Sequence, residues 1–157
     1  MNQITFRQAT ISDIPEILEL IKRSKSYFHR SKEQYVNDFI KIWGPGAYYV
    51  EDHFLYMAFY NGEAAGIIGM RAPGSKRAFV ELDLLFVDSN YIGKGFGRLL
   101  WEKVLSISKE QHWKSFRFIS DNIPQITGFY EHMGARKIDR LTLEIGDFPI
   151  MEYQLSD

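Results

Sequence analysis

The chain has 157 residues, of which 45% are hydrophobic and 25% are charged, so it is long enough for one cored domain. Its 19 basic and 20 acidic side chains leave a formal net charge of −1, which gives no global field to attract nucleic acid or an anionic membrane. It contains no cysteine, and no stretch approaches the roughly 18 apolar residues of a membrane span. We therefore expect a single domain over residues 1–157, located in the cytoplasm, with no nucleic acid or membrane as partner.

The first third of the chain is predicted to form a strand followed by two helices. Residues 4–10 alternate as a strand does, and Pro15 follows a Ser-Asp cap at the start of an amphipathic helix. A looser pattern between Lys25 and Gly46 suggests a second helix, which the breaker Gly44-Pro45-Gly46 ends. The residues that carry this second pattern are Tyr35, Phe39, Ile40 and Trp43.

The middle of the chain is predicted to form an antiparallel hairpin and a third strand. Asn61-Gly62 is the two-residue signal for a tight turn, and it lies between strand-like runs at 54–60 and 64–72. The run 78–87 is predicted to be the next strand. Antiparallel strands followed by a strand-turn-helix unit indicate an α/β domain with a mixed sheet.

The last third is predicted to alternate helices and strands. A helix is expected from Gly97 to about Gln111, and Gly134 is expected to cap a later helix in the left-handed conformation. The remaining predicted elements are a strand at 116–120, a helix at 124–133, and strands at 138–145 and 150–155.

Three glycines, Gly93, Gly95 and Gly97, follow the third strand and open the next helix. Unpaired amides and the helix dipole make such a turn suited to phosphate, and Lys94 and Arg98 add positive charge. The P-loop pattern and the dinucleotide fingerprint G-x-G-x-x-G are both absent. The alternative interpretation is that the glycines serve only a tight turn and close helix packing.

Several segments, which together span most of the chain except residues 24–51, carry a resemblance to a known family. Leu85-Phe86-Val87-Asp88 and the run from Tyr91 to Leu100 resemble the acetyl-CoA-binding segment of the GNAT superfamily of N-acetyltransferases. One departure is Ile92, which stands where the family has Gln or Arg. The resemblance implies a single GNAT-like domain of the α/β (α+β) class, with a central mixed, mostly antiparallel sheet of about six to seven strands flanked by about four helices.

The resemblance also implies which residues bind acetyl-CoA. Main-chain amides of the turn would hold the pyrophosphate, those of 85–87 would pair with the pantetheine arm, and the Val87 amide is a candidate oxyanion donor. The spacing from Asn122 to Tyr130 is one residue longer than the commonest family pattern. The implied cofactor-binding residues are Leu85, Phe86, Val87, Gly93, Lys94, Gly95, Phe96, Gly97, Arg98 and Asn122.

Catalysis of acetyl transfer to an amine needs a proton acceptor and a proton donor. Glu81 and Asp83 are two residues apart on a strand and share a face; Glu81 is the predicted base by its family-like position, and Asp83 is the reserve. Tyr130 is the predicted general acid by resemblance. Alternatively, the two carboxylates are solvated, bind a cationic substrate, or pair with Arg77, Arg117 or Lys114. The alternative for Tyr130 is that it is only a packed aromatic residue.

The acceptor is expected to be an amine-bearing small molecule or peptide, attacked directly without an acyl-enzyme. An aromatic-lined amine site is a further hypothesis for Tyr27, Trp43, Tyr48 and Tyr49, which are alternatively core residues. No metal is expected, because the four histidines lack ligand spacing. A homodimer is possible through the edge of the last strand, Ile150–Leu155. A non-catalytic acyl-CoA sensor is the alternative function.

Overall fold

The computed structural model describes residues 4–74 and 77–156, and within these ranges it contains seven strands and five α-helices. The strands are β1 (Ile4–Gln8), β2 (Phe54–Tyr60), β3 (Glu63–Arg71), β4 (Glu81–Val87), β5 (Ser115–Ile119), β6 (Arg136–Leu143) and β7 (Gly146–Gln154). The helices are α1 (Ile14–Phe28), α2 (Glu33–Trp43), α3 (Ala47–Asp52), α4 (Phe96–Glu110) and α5 (Pro124–His132). Short 3₁₀ turns lie at Ile11–Asp13 and Ser89–Tyr91.

The strands form one mixed sheet in the order β1-β2-β3-β4-β5-β7-β6. The pairs β1–β2, β2–β3, β5–β7 and β6–β7 are antiparallel, whereas β4 and β5 are parallel, with Glu81 in register with Arg117. The predicted fold class, a mixed and mostly antiparallel sheet with flanking helices, is confirmed. The prediction that the last strand is an edge is wrong, because β7 lies between β5 and β6.

Two compact units share the chain. The first comprises the residues up to Met70 together with Leu84–Val104. Its core lies where the apolar face of α1 contacts β2 and β3, because three residues of α1, Ile17, Leu20 and Ile21, are completely buried. The side chains of Leu84 and Tyr49 pack closely against the backbone of Gly69. A Cβ at this position would lie 2.9 Å from Leu84 and 3.0 Å from the Tyr49 hydroxyl.

The second unit comprises Arg71–Asp83 and the residues from Leu105 onward. Its core is aromatic: Phe116 and Phe118 alternate on β5, and both are buried. The ring of Phe118 lies 4.5 Å from that of Tyr130. On the polar side of this unit, Glu152 of β7 accepts from Arg117 and Arg136 at 3.3 and 3.4 Å.

Local signals in the sequence predicted most of the elements, although β7 begins at Gly146 rather than at residue 150. Asn61 and Gly62 have φ values of 50° and 84°, as a tight hairpin turn requires, and Gly134 has φ 103°. The helix α3 was not predicted, because six residues are too few to show a helical period. The strand β4 begins at Glu81 rather than Ala78. Within the described ranges, no helix is long and apolar enough to cross a membrane.

Candidate active site

The residue after β4, Asp88, has a buried carboxylate that holds the start of the segment leading to the glycine turn, residues 93–97. The Asp88 side chain is only 4% exposed and accepts hydrogen bonds from Arg23 Nε at 2.8 Å and from the Asn90 amide at 3.2 Å. Its own main chain donates to Ala65 O at 2.8 Å and accepts from the Tyr91 amide at 2.8 Å. Two of these bonds tie the exit of β4 to α1 and β3, and the other two join it to the 3₁₀ turn that follows. Asp88 thereby sets where the turn starts.

The glycine turn owes its shape to backbone conformation. Gly93 and Gly95 have φ values of 82° and 85°, a region that residues with a Cβ rarely adopt. A Cβ added at either position would meet nothing within 4 Å, so close packing is not the reason for these two glycines. Both lie exposed, immediately before α4 begins at Phe96. The amides of the first turn of α4 are among the donors that no carbonyl within a helix can satisfy.

An aromatic cluster holds the first residue of α4. Phe96 is 8% exposed, and its ring lies 5.1 Å from that of Tyr60 and 5.0 Å from that of Tyr91, which are 5.8 Å from each other. The Tyr91 hydroxyl also donates to Glu63 at 3.3 Å. No local pattern predicted this cluster, because its members come from β2, the 3₁₀ turn and α4.

Positive charge at the turn is exposed and loosely held. Lys94 lies on the surface, and the Arg98 side chain is 70% exposed, with only a 3.8 Å pair to Glu102 one helical turn away. Such surface pairs are worth little energetically. Both cations therefore remain able to move toward an anionic ligand.

The main chain of residues 85–87 packs closely against β3 in the first unit. A Cβ at Gly66 would meet Phe86 O at 2.9 Å, so the neighbouring β3 accepts only glycine there. Phe86 also packs its ring against that of Phe39 of α2, at 5.9 Å and nearly perpendicular. Close packing thus fixes the position of this stretch of β4 in the first unit.

The predicted base and its reserve are both bound by an arginine that the sequence did not indicate. Arg71 donates from Nη2 to Glu81 Oε1 at 2.8 Å, and from Nε and Nη2 to the two oxygens of Asp83 at 2.6 and 2.9 Å. Of the partners considered from sequence, Arg77 contacts Glu81 Oε1 at 3.2 Å, whereas Arg117 pairs with Glu152. Burial, followed by the charge of Asp83, raises the pKa of Glu81 above its ordinary value.

Tyr130 is buried on α5 in the second unit, with its ring 4.5 Å from Phe118 and 5.3 Å from Phe129. Burial raises its pKa well above 10, with a smaller contribution from the charge of Asp121. Tyr130 therefore keeps its proton at neutral pH. Asn122, in contrast, lies exposed two residues before α5 begins.

The four aromatic residues considered for an amine site differ in burial, although the rings of Tyr48 and Tyr49 lie 6.2 Å apart. Tyr49 is buried in the core, as in the alternative interpretation, with its ring 4.9 Å from His53. Tyr27 and Tyr48 are 41% and 59% exposed, and Trp43 packs against Phe39. Among the described residues, no group of three or more His, Asp and Glu side chains is arranged to hold a metal ion.

One cavity of about 450 Å³ opens in the first unit beside Asp88 and Tyr91. It is lined by charged and polar groups, among them Glu16, Arg23 and Glu63. None of the residues predicted from sequence to bind acetyl-CoA or to catalyse lines it.

The fold and the glycine turn define a mixed-sheet α/β protein with an exposed glycine-rich turn at the start of a helix. A model of the acetyltransferase (GNAT) domain matches residues 28–152. The chain belongs to the GNAT acetyltransferase family. A search of curated proteins found no significant match.

Solved structures of several acetyltransferases share this fold across nearly their whole length. PaiA N-acetyltransferase from Thermoplasma acidophilum, in complex with coenzyme A, has a TM-score of 0.78 and 20% identity, covering 98% of this chain and 99% of that one. A GNAT acetyltransferase from Elizabethkingia anophelis with acetyl-CoA bound has a TM-score of 0.68 and 20% identity, covering 97% and 98%. The ribosomal-protein-S18-alanine N-acetyltransferase from Escherichia coli has a TM-score of 0.68 and 18% identity, covering 100% and 96%.

Proposed function

We propose that this chain is an acetyl-CoA-dependent N-acetyltransferase that forms one domain over residues 1–157 and transfers acetyl to an amine by direct attack. The observation that carries the proposal is the glycine turn. Gly93 and Gly95 are exposed and hold left-handed conformations in open space, directly before a 15-residue helix. A polyanion can approach such a backbone without displacing any side chain.

In this proposal the amides from Gly93 to Arg98 hold the pyrophosphate of acetyl-CoA, with Lys94 and Arg98 at the rim. The bound thioester supplies the acetyl group. The amides of Leu85–Val87 pair with the pantetheine arm, Val87 donates to the developing oxyanion, and Asn122 contacts coenzyme A. Ile92, which has no polar group, contributes only its main chain.

Glu81 takes up the proton that the amine loses as its nitrogen forms the new C–N bond. Tyr130 donates a hydrogen bond to the sulfur as the C–S bond breaks. A phenol of pKa about 10 is a weaker acid than a thiol of about 8.5, and burial weakens it further. The proton of Tyr130 therefore moves only as negative charge develops on sulfur, and solvent finally carries a proton from Glu81 to restore Tyr130.

The acceptor belongs to the class of amine-bearing small molecules or peptides. The structural relatives include a ribosomal-protein-S18-alanine N-acetyltransferase, and so peptide amines belong in any screen. The proposal includes action in the cytoplasm and pairing into a homodimer, for which the sheet edges β1 and β6 are the surfaces to test.

Calorimetric titration with acetyl-CoA, NAD and ATP tests the binding step. We expect acetyl-CoA to bind with micromolar affinity or better, and we expect NAD and ATP not to bind. Release of coenzyme A is then measured with a primary alkylamine, a diamine, an amino acid and a short peptide. Binding without transfer to any of them would favour an acyl-CoA sensor, and no binding by a folded protein would leave the glycines purely structural.

Replacement of Tyr130 by Phe tests the proton donor. We expect kcat to fall on the order of a hundredfold while the affinity for acetyl-CoA is unchanged, because only the hydroxyl is lost. Tyr56→Phe, on β2, is the matched control with an expected unchanged rate. Equal rates in wild type and Tyr130→Phe would assign Tyr130 to core packing alone.

A further inference from the structure

Arg71 is the last residue of β3, and its guanidinium joins both carboxylates of β4. Two of its nitrogens face the two oxygens of Asp83, at 2.6 and 2.9 Å, in the planar arrangement that suits a carboxylate. The second of these nitrogens, Nη2, also donates to Glu81 Oε1 at 2.8 Å. The Asp83 side chain is 8% exposed and that of Arg71 27%, so water competes weakly for these bonds.

The two oxygens of Glu81 have different surroundings. Both Arg71 and Arg77 contact Oε1, at 2.8 and 3.2 Å. Oε2 makes no hydrogen bond or ion pair with the residues that the structure describes. The Glu81 side chain is 16% exposed. Its two oxygens thus differ, because two arginines hold Oε1 and neither of them contacts Oε2.

We infer that Arg71 is a positioning residue for proton transfer: it holds Oε1 of Glu81 so that Oε2 accepts the proton of the amine. Asp83 fixes the plane of the Arg71 guanidinium and is not a second base. The inference rests on the proposed function, in which Glu81 is the base. It gives the arginine and the second carboxylate of this cluster separate roles in the reaction.

The charged groups that the structure describes around Glu81 come from β3, β4, β5 and the loop after β3. Asp83 on β4 raises its pKa, and Arg71 on β3 and Arg77 on the following loop lower it, against the larger effect of burial. Arg117 is its register partner on β5, but the Arg117 guanidinium pairs with Glu152 at 3.3 Å and lies 4.6 Å from the centre of the Phe79 ring. Among the residues that the structure describes, removing Arg71 therefore leaves Asp83 to repel a charge on Glu81, with Arg77 opposing it.

The test is the pH dependence of kcat/KM for wild type, Arg71→Gln, Arg71→Lys and Glu81→Gln, with the best acceptor of the amine screen. We expect Arg71→Gln to move the acid limb to higher pH and to lower kcat about tenfold at pH 7, with KM for acetyl-CoA unchanged. Arg71→Lys keeps the charge but loses the planar contact with Asp83. Its acid limb and its kcat should therefore lie between those of wild type and Arg71→Gln. Glu81→Gln should have no acid limb from this group.

Arg117→Gln is the matched control, because it removes another arginine of the same unit that does not contact the Glu81 side chain. Its acid limb should coincide with that of wild type. A pH-independent loss of rate in Arg71→Gln would overturn the inference, since a merely structural role lowers the rate at every pH. An unchanged acid limb in Glu81→Gln would overturn it as well, while acetyl transfer itself would still support the proposed function.

A second measurement does not depend on acetyl transfer. The Glu81 carboxyl carbon is titrated by NMR in wild type and in Arg71→Gln, with Glu81→Gln used to assign its signal. A higher pKa in Arg71→Gln supports the inference, and an unchanged pKa overturns it even if no acceptor is found. Failure of the proposed function would instead appear as an absence of acetyl-CoA binding.

Discussion

The glycine turn and the arginine-carboxylate cluster are held in shape by different means. At Gly93 and Gly95 the main chain itself takes an unusual conformation, and no neighbouring atom lies where a Cβ would stand. Around Arg71, ordinary strand backbone carries side chains that fix one another through ion pairs of 2.6 to 2.9 Å. The first region should therefore fail when the backbone is constrained, and the second when a charge is removed.

Gly95→Asp should have the largest effect. The substitution places a residue with a Cβ at φ 85°, which costs about 1–2 kcal/mol, and puts a carboxylate where the pyrophosphate is proposed to lie. We expect the affinity for acetyl-CoA to fall on the order of a hundredfold or more, as measured by calorimetry.

Gly62→Asp is a closely matched control, because Gly62 has φ 84° and equally open surroundings but lies in the β2–β3 turn. It should show similar strain and retain binding. Gly95→Ala should lose less affinity than Gly95→Asp, since it adds strain without charge. If both aspartate variants lost binding equally, the turn would have no special role.

Asp83→Ala should be the most destabilising change in the cluster. It removes both hydrogen bonds that fix the plane of Arg71 and leaves a guanidinium that is only 27% exposed. We expect a loss of about 2 kcal/mol in the free energy of unfolding, because hydrogen bonds between charged groups in such surroundings are worth about 1.5–3 kcal/mol.

Denaturant unfolding measures this loss, and Glu102→Ala on α4 is its control. The pair between Arg98 and Glu102 is 3.8 Å long and well exposed, so its removal should change stability by less than about 0.5 kcal/mol. Equal effects of the two substitutions would mean that the cluster is no more than a surface network.

Glu81→Gln should change stability in a pH-dependent direction. Because the pKa of Glu81 is raised in the folded protein, its favourable contribution is complete below the unfolded value of about 4.5 and is lost as pH rises through the folded pKa. The difference in Tm between Glu81→Gln and wild type should therefore be more favourable to the variant at pH 7 than at pH 4.

Asp13 should show the opposite dependence of stability on pH, because its pKa is lowered in the folded protein. A hydrogen bond from Arg7 at 2.8 Å holds the pKa of Asp13 below its ordinary value, so its stabilisation is present at neutral pH and disappears as pH falls through the folded pKa. Asp13→Asn should thus lower Tm at pH 7 and have little effect in strong acid. Thermal melts across pH separate the two behaviours, and the same trend for both variants would contradict the assigned shifts.

Lys94→Ala should have the smallest effect. The side chain is exposed, and the proposed grip on the pyrophosphate is made by main-chain amides, so we expect only a two- to fivefold loss of acetyl-CoA affinity. This loss should shrink at high salt, because screening weakens interactions between exposed charges. A salt-independent loss as large as that of Gly95→Asp would show that the turn also depends on its side chains.

Sequence patterns predicted the elements whose causes are local. The Asn61-Gly62 turn, the cap at Gly134 and the glycine turn before α4 all arise from what a single residue permits its own backbone to do. The helix α1 was predicted because its apolar side chains recur at the helical period. The short helix α3 was not predicted, because six residues are too few to show a helical period. The burial of its Tyr49 depends on the tertiary structure.

The amino-acid sequence by itself determined the turn, its charge and the candidate pair Glu81 and Asp83, because these depend on residues close together in the chain. Only the tertiary structure decided that Arg71 binds both carboxylates, that Tyr60 and Tyr91 enclose Phe96, and that β7 lies inside the sheet. The physical reason is that side-chain partners across strands are set by pairing order and register. For strands that no tight turn connects, the pairing order leaves no periodic or short-range mark in the sequence.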